Sequence, residues 1–484
     1  MNESKNIVKN KTKSLSLRDI FFILLAFAII LIFYFIPTPL GLTFSGKMVI
    51  GILIMAAILW ITEPIPLPVT GLLIMIIQPL LGIIPAKDVF LSFGNQAIFF
   101  LIGAFIIAAA IEKHGLHKRA ALKFLSYFEK NPKFFTLGIM ISCASLSFIM
   151  PEHGVAALFL PIIVSILIAM KIVPRHSNFG KISILSVAYG CSIGSLGTLI
   201  GGARNPLTIG FLSRPEIGIN VTFFEWIIMS LPVVVISLPL VWLVLQFSFP
   251  IEIKDITLAK KEINKQVAVQ GKINGKELTV LGIVVITILL WIFLPNSPFF
   301  GLGIIAILGS TLLFLTGSVK WEDIEKRVPW GIILLYGGAI TLGIGMQTTQ
   351  NGEIGAGEWI ANEFFSIAGN NPVIVIIAMI IFTIFLTNIM SNVAAVAILL
   401  PISVSIATKI GINPLFASMI VALTGGLAFM FVISTPGNAI TYSSGYYSTR
   451  DLFKTGILAS IICIAVVFTI AIVYWKEVLH LWNI

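Results

Sequence analysis

The chain has 484 residues, of which 58% are hydrophobic and 11% charged, and its mean hydropathy is +1.04. That leaves too little polar surface for a soluble globule and reads as an all-α polytopic membrane protein. The net charge of +10 lies mostly in the N-terminal tail and the loops, where it acts as an orientation signal, so no nucleic-acid partner is expected.

Residues 1–18 form a basic tail with Lys5, Lys9, Lys11, Lys13 and Arg18. The apolar run that follows is long and lacks a small-residue cleavage site, so it reads as a retained first helix. Runs long enough to cross a bilayer, about 17 to 25 residues each, lie near 19–36, 46–60, 66–83, 96–112, 182–212, 223–248, 278–294, 300–317, 328–346, 415–446 and 455–475. Two others, 134–170 and 372–408, are about twice as long and carry breaks.

Charge places these segments, because Lys and Arg collect in cytoplasmic loops. The tail puts the N-terminus inside. Four crossings bring the chain back inside at Lys113, Lys118, Arg119, Lys123, Lys130 and Lys133, and the segment 134–170 ends at Lys171, Arg175 and Lys181. Basic residues on both flanks make it a re-entrant hairpin with its tip at Pro151–Gly154. The stretch 347–371 has Glu353, Glu358 and Glu363 and no Lys or Arg, so the hairpin 372–408 enters from outside, with its tip at Ser391–Asn392. Amphipathic stretches precede both hairpins, around Leu116–Phe128 and Trp359–Phe365, and suit helices lying along the interface. The stretch 250–277 mixes Lys with Asp and Glu and reads as a solvated cytoplasmic linker between the halves.

The two hairpins repeat one another. Ile149-Met150, Ala157, Leu160-Pro161-Ile162 and Val164-Ser165-Ile166 recur without a gap as Ile389-Met390, Ala397, Leu400-Pro401-Ile402 and Val404-Ser405-Ile406. Pro151, Glu152 and His153 then correspond to Ser391, Asn392 and Val393. A membrane helix breaks only where the freed backbone faces protein, water or ligand. Two matching breaks in inverted repeats mark the two halves of one site in a secondary transporter. Each hairpin is followed by a further interrupted helix, Gly194–Pro206 and Ser434–Ile440, in which Asn205 matches Asn438. Carbonyls freed there suit a cation, while helix N-termini with Asn, Ser and Thr suit carboxylate or sulfate oxygens.

Other classes fit less well. Cys143, Cys191 and Cys463 lack metal-type or CxxC spacing, there is no HExxH, and His153 is the only histidine clearly at membrane depth, so an enzyme is not expected. A channel has no need of two inverted broken repeats. Arg204 argues against a cation antiporter.

These residues resemble the divalent anion:sodium symporters, which carry di- and tricarboxylates or sulfate. The resemblance covers nearly the whole chain. It rests on Trp60-Ile-Thr-Glu-Pro-Ile-Pro-Leu-Pro-Val-Thr70, on the paired hairpins and on Thr435-Pro-Gly-Asn438. It implies about eleven transmembrane helices with two hairpins, a homodimer in the plasma or inner membrane, and an elevator in which a transport domain moves against a scaffold. The scaffold would be 19–133 and 278–371, and the transport-domain repeats 134–249 and 372–484.

Members of that family carry a Ser-Asn-Thr triplet at each hairpin tip, binding sodium and substrate. By resemblance Thr387, Met390 and Asn392 belong to a sodium site, and Ser391, Asn392, Thr435, Pro436 and Asn438 face the substrate. Val393 replaces the triplet's Thr. The first triplet is instead Pro151-Glu152-His153, followed by Gly154, and Arg204 stands before Asn205. The first sodium site is therefore expected to be lost. Arg204 would supply a fixed charge with Glu152 paired to it, or the two would form a purely structural ion pair that locks the hairpin, and His153 would be protonatable or a hydrogen-bonded helix cap. The expected function is secondary transport of a di- or trivalent anion, dicarboxylate, citrate or sulfate, with Na+ as coupling ion and no cofactor. The alternatives are proton coupling and anion exchange.

Overall fold

Inside a hydrocarbon layer a backbone satisfies itself only as a helix, so apolar runs become helices and polar side chains mark their ends. Thr43, Asn95, Thr222 with Glu225, Asn274 with Glu277 and Ser448 with Asp451 cap the N-termini of five crossings. The structure, a computed structural model, describes residues 16–294, 299–347, 353–369 and 371–482. Lys5, Lys9, Lys11 and Lys13 of the expected tail lie outside the described residues.

The described crossings, in chain order, are Leu17–Phe35, Phe44–Thr62, Leu67–Leu80, Gln96–Lys113, a broken helix of Asn178–Gly194 and Arg204–Leu212, Phe223–Ser248, Gly275–Phe293, Leu302–Leu315, Trp330–Gln347, a second broken helix of Pro414–Thr424 and Pro436–Tyr442, and Thr449–Thr469. With each broken helix counted once, these are eleven. Ten described helices are long and apolar enough to span a membrane, and three of those are hairpin arms. Several true crossings fall below that length because a break or a proline-rich end shortens them.

Each hairpin has a leading arm and a return arm. The first comprises Pro132–Leu146 and Glu152–Ala169, the second Pro372–Ile389 and Asn392–Lys409. The amphipathic stretches are helices, Leu116–Ser126 before the first hairpin and Ala356–Ala368 before the second.

The linker differs from its expectation. It contains a helix, Thr257–Gln270, whose Ala259 and Ile263 are fully buried. Gln266 Nε2 donates to Ser165 Oγ of the first return arm at 2.5 Å, and Arg119 donates to the carbonyls of Gly271 and Gln270 at 2.9 and 3.2 Å. The linker is thus docked on the first hairpin rather than free in solvent. Two apolar residues one helical turn apart are buried against it, and these hydrogen bonds hold the helix in place.

Helices meet where side chains are small, as membrane packing requires. A Cβ on Gly194 would lie 2.3 Å from Cα of Ala144, and one on Gly190 2.6 Å from the carbonyl of Met140, so the first leading arm lies directly against the broken helix. Gly282 has nothing within 4 Å of such a Cβ. Gly194→Val should therefore cost about 1–3 kcal/mol through overpacking, read as a lower unfolding temperature in detergent, whereas Gly282→Val should leave it unchanged.

Candidate functional site

The breaks are held open by one repeated device. Asn205 Nδ2 donates to the carbonyls of Ser195 at 2.8 Å and Thr198 at 2.6 Å, and Asn438 Nδ2 donates to those of Ala428 and Phe431, both at 3.0 Å. In both halves the amide reaches back ten residues and seven. Carbonyls that the interrupted helix releases thus find donors without water. Each Asn keeps a buried Oδ1 with no hydrogen-bond partner among the described residues.

The hairpin tips dock on these breaks. Pro151 opens the first return arm without a side-chain cap, and the Glu152 N–H instead donates to the Gly201 carbonyl at 3.1 Å. Thr198 Oγ1 donates to the Phe148 carbonyl at 2.7 Å. At the second tip Ser391 caps its own arm, accepting from the Ala394 N–H at 3.3 Å.

Charge enters from the first repeat alone. Arg204 is 1% exposed. Its Nη2 donates to Ser195 Oγ at 2.7 Å, its Nε to the Ala422 carbonyl at 3.2 Å, and its Nη1 lies 3.6 Å from Glu152 Oε2. Ser195 Oγ in turn donates to Glu152 Oε2 at 2.7 Å, and Asn392 Nδ2 donates to Glu152 Oε1 at 3.3 Å. The pair expected between Glu152 and Arg204 is present. It also reaches into the second repeat on both sides, through Asn392 and through the C-terminal end of Pro414–Thr424, where a helix dipole favours a cation.

The second repeat has oxygens instead. Thr387 Oγ1 lies 2.6 Å from the Gly425 carbonyl and 2.8 Å from Asn392 Oδ1. Three oxygens therefore share one hydroxyl hydrogen, an arrangement that attracts a cation. Met390 stands beside them, buried and extended. In the first repeat Ser147 corresponds to Thr387, and its buried Oγ has no partner among the described residues.

A cavity of about 170 Å³ lies between the tips. It is lined by Glu152, Arg204, Asn392 and Pro436, the first residues of four helices, together with Pro151, His153, Gly201, Gly202, Ala203, Ser391 and Val393. The N–H groups of His153, Asn392 and Val393 have no hydrogen-bond partner among the described residues. Leu67, Phe105, Ile332 and Leu335 close the cavity from the neighbouring crossings. Not every candidate lines it. Asn205 and Asn438 lace the breaks, Thr435 Oγ1 accepts from the Asn438 N–H at 3.0 Å, and Gly154 lines a different cavity.

That second cavity, about 630 Å³, runs along the first return arm past Gly154, Ala157 and Pro161 to Lys118. His153 lines both. Ala157 and Pro161 are exposed, whereas their counterparts Ala397 and Pro401 are buried. A Cβ on Gly357, in the amphipathic helix of the second half, would lie 2.5 Å from Ser405 Oγ of the second return arm. The cavity along the hairpin flanked by basic loops is the larger; the one along the second return arm, past Val404, Ser405 and Thr408, is about 280 Å³.

Ala422 and Gly425 take part without being marked in the sequence. A backbone carbonyl carries no residue signature, although the Gly425-Gly426 pair beside the second break is a signal that the chain departs from regular helix there. Removing one partner of the buried pair leaves an uncompensated charge, at a cost of about 3–5 kcal/mol. Arg204→Gln should therefore destabilise the protein more than Glu152→Gln with Arg204→Gln together, measured by thermal unfolding; simple additivity would contradict the coupling.

The profile of the family described as the sodium:sulfate symporter transmembrane region matches residues 18–482. The sodium-dependent dicarboxylate transporter SdcS of Staphylococcus saprophyticus is 29% identical over 461 residues, covering 90% of this chain and 87% of that protein. SdcS of Staphylococcus aureus MRSA252 is 30% identical over 474 residues, covering 92% and 89%. Among solved structures, Neisseria gonorrhoeae MtrF aligns with a TM-score of 0.57 at 12% identity, covering 96% of both chains. Alcanivorax borkumensis YdaH aligns with a TM-score of 0.51 at 12% identity, covering 80% and 87%. At that identity the likeness is one of fold.

Proposed function

The chain belongs to the divalent anion:sodium symporter family, matched by the sodium:sulfate symporter profile over residues 18–482, and on that footing we propose that it carries a small dicarboxylate across the membrane together with sodium. The observation that carries this reading is the convergence of helix N-termini on one cavity. Glu152–Ala169, Arg204–Leu212 and Asn392–Lys409, with the shorter Pro436–Tyr442, all begin on its wall. Helix N-termini carry partial positive charge and free N–H groups, so they favour anions. One set comes from each repeat, which suits an anion charged at two ends. The relatives that bear the name dicarboxylate transporter favour that class over sulfate or citrate.

Coupling divides between the halves. Thr387, Asn392 and the Gly425 carbonyl hold one sodium ion, with Ser391 and Met390 shaping the tip. Glu152 and Arg204 take the place of the other. The pair is neutral as a whole, so the charge of the anion is met by the helix ends and by the sodium ion in the second half. Residues 134–249 and 372–484 move together against the remaining crossings, as an elevator in a homodimer. The basic face lies in the cytoplasm, which places the N-terminus inside.

Uptake of labelled succinate into proteoliposomes tests this. A sodium gradient should drive accumulation, with a dependence on sodium close to first order. Thr387→Val should raise the sodium concentration needed by at least about tenfold, the loss of roughly 1.4 kcal/mol, and Asn392→Ala should abolish stabilisation by succinate. Accumulation indifferent to sodium would sink the coupling scheme.

A further inference from the structure

The larger cavity has the composition of a site rather than of a packing defect. We propose that it is a second anion-binding site, a vestibule that holds the same class of dicarboxylate on its way between the basic face and the central cavity. This deepens the transport reading and rests on it.

The charge balance carries the argument. Glu112 is the only carboxylate on the described wall of the cavity, and Arg327 takes it at 2.8 Å. The carboxylates of the adjoining linker and loop are matched too, Glu262 by Lys265 at 3.9 Å and Glu129 by Lys260 at 3.7 Å. Lys118 has no ion pair among the described residues. His117 beside it has a buried Nδ1 without a hydrogen-bond partner. Burial holds this imidazole below the ordinary histidine range in spite of Glu112, so Lys118 supplies the charge. A cleft lined by one uncompensated sign focuses field and concentrates the opposite ion.

The shape agrees. Gly154, Ala157 and Pro161 give the return arm a shallow face leading from Lys118 to His153. In the other half Ala397 and Pro401 are buried and Gly357 of the amphipathic helix meets Ser405, whereas here Ala157 and Pro161 are exposed on the cavity wall. His153 is the shared wall, so an anion leaving the vestibule meets it first on the way to Asn392 and Arg204.

Equilibrium binding of labelled succinate to the purified protein in detergent, paired with transport in oriented proteoliposomes, decides the matter. The wild type should bind two succinates per chain, the double variant Lys118→Gln with His117→Gln one, and Asn392→Ala should lose the other. In transport, the double variant should raise the KM for succinate at the basic face at least fivefold and leave the opposite-face KM within twofold. One succinate per chain, lost in Asn392→Ala but not in the double variant, would overturn the vestibule while leaving the central site standing. Absence of saturable binding in every form would overturn both. The same assays in purely zwitterionic liposomes separate a further source: a KM effect that appears only with anionic lipid would assign the cavity to a lipid headgroup and overturn the proposal.

Discussion

A helix that stops half way through a hydrocarbon layer leaves N–H and C=O groups without partners, and no bulk water is there to take them. Several residues near the centre of this protein answer that constraint. Asn205 and Asn438 collect the carbonyls that the interrupted helices release, at identical spacing in both halves. Gly201 accepts from the Glu152 N–H, and Thr198 closes the Phe148 carbonyl. What is left over is a small set of N–H groups at helix starts, and these face the cavity between the tips.

The two halves then solve the problem of positive charge differently. In the second, Thr387, Asn392 and Gly425 offer three oxygens around one hydrogen. In the first, Arg204 brings its own cation and Glu152 its own counter-ion, with Ser195 between them. Burying two charges is costly unless their remaining hydrogen-bonding capacity is filled. Here Ala422, Ser195 and Asn392 fill much of it. Because Ala422 and Asn392 belong to the other repeat, the pair also fastens the halves to one another, which a bound ion confined to one half would not do.

Much of this is legible in the sequence. The hairpins announce themselves because Ile149 to Ile166 and Ile389 to Ile406 match in register, and a Pro-Glu-His or Ser-Asn inside an apolar run marks the point where a helix stops at membrane depth. Asn205 and Asn438 are aligned by the same logic, though their part as lacing rather than lining depends on where the amides point. Glu152 with Arg204 follows from charge alone, since neither tolerates isolation at that depth. The carbonyls of Ala422 and Gly425 are invisible in the sequence, because every residue has one and only the fold selects which is freed. The linker helix is hidden by its composition: Ala259 and Ile263 are few among lysines, and their burial depends on a surface formed far away in the chain. The division into two cavities, with Gly154 in one and Glu152 in the other, reflects which return arm is covered, a property of the conformation rather than of the residues.

The internal pair has an electrical consequence. An ion carried through the depth of a membrane does work against the potential, about 2.3 kcal/mol per unit charge per 100 mV. On the proposed elevator, Glu152 and Arg204 are opposite charges carried together, so their movement transfers no net charge, loaded or empty. Voltage then acts on this protein only through the anion and whatever ion sits beside Thr387. The first half of the site adds nothing to the charge moved, so a dianion with one sodium ion leaves one net negative charge on the loaded site, and a carrier built this way feels the membrane potential where one that fills both halves with sodium would carry none.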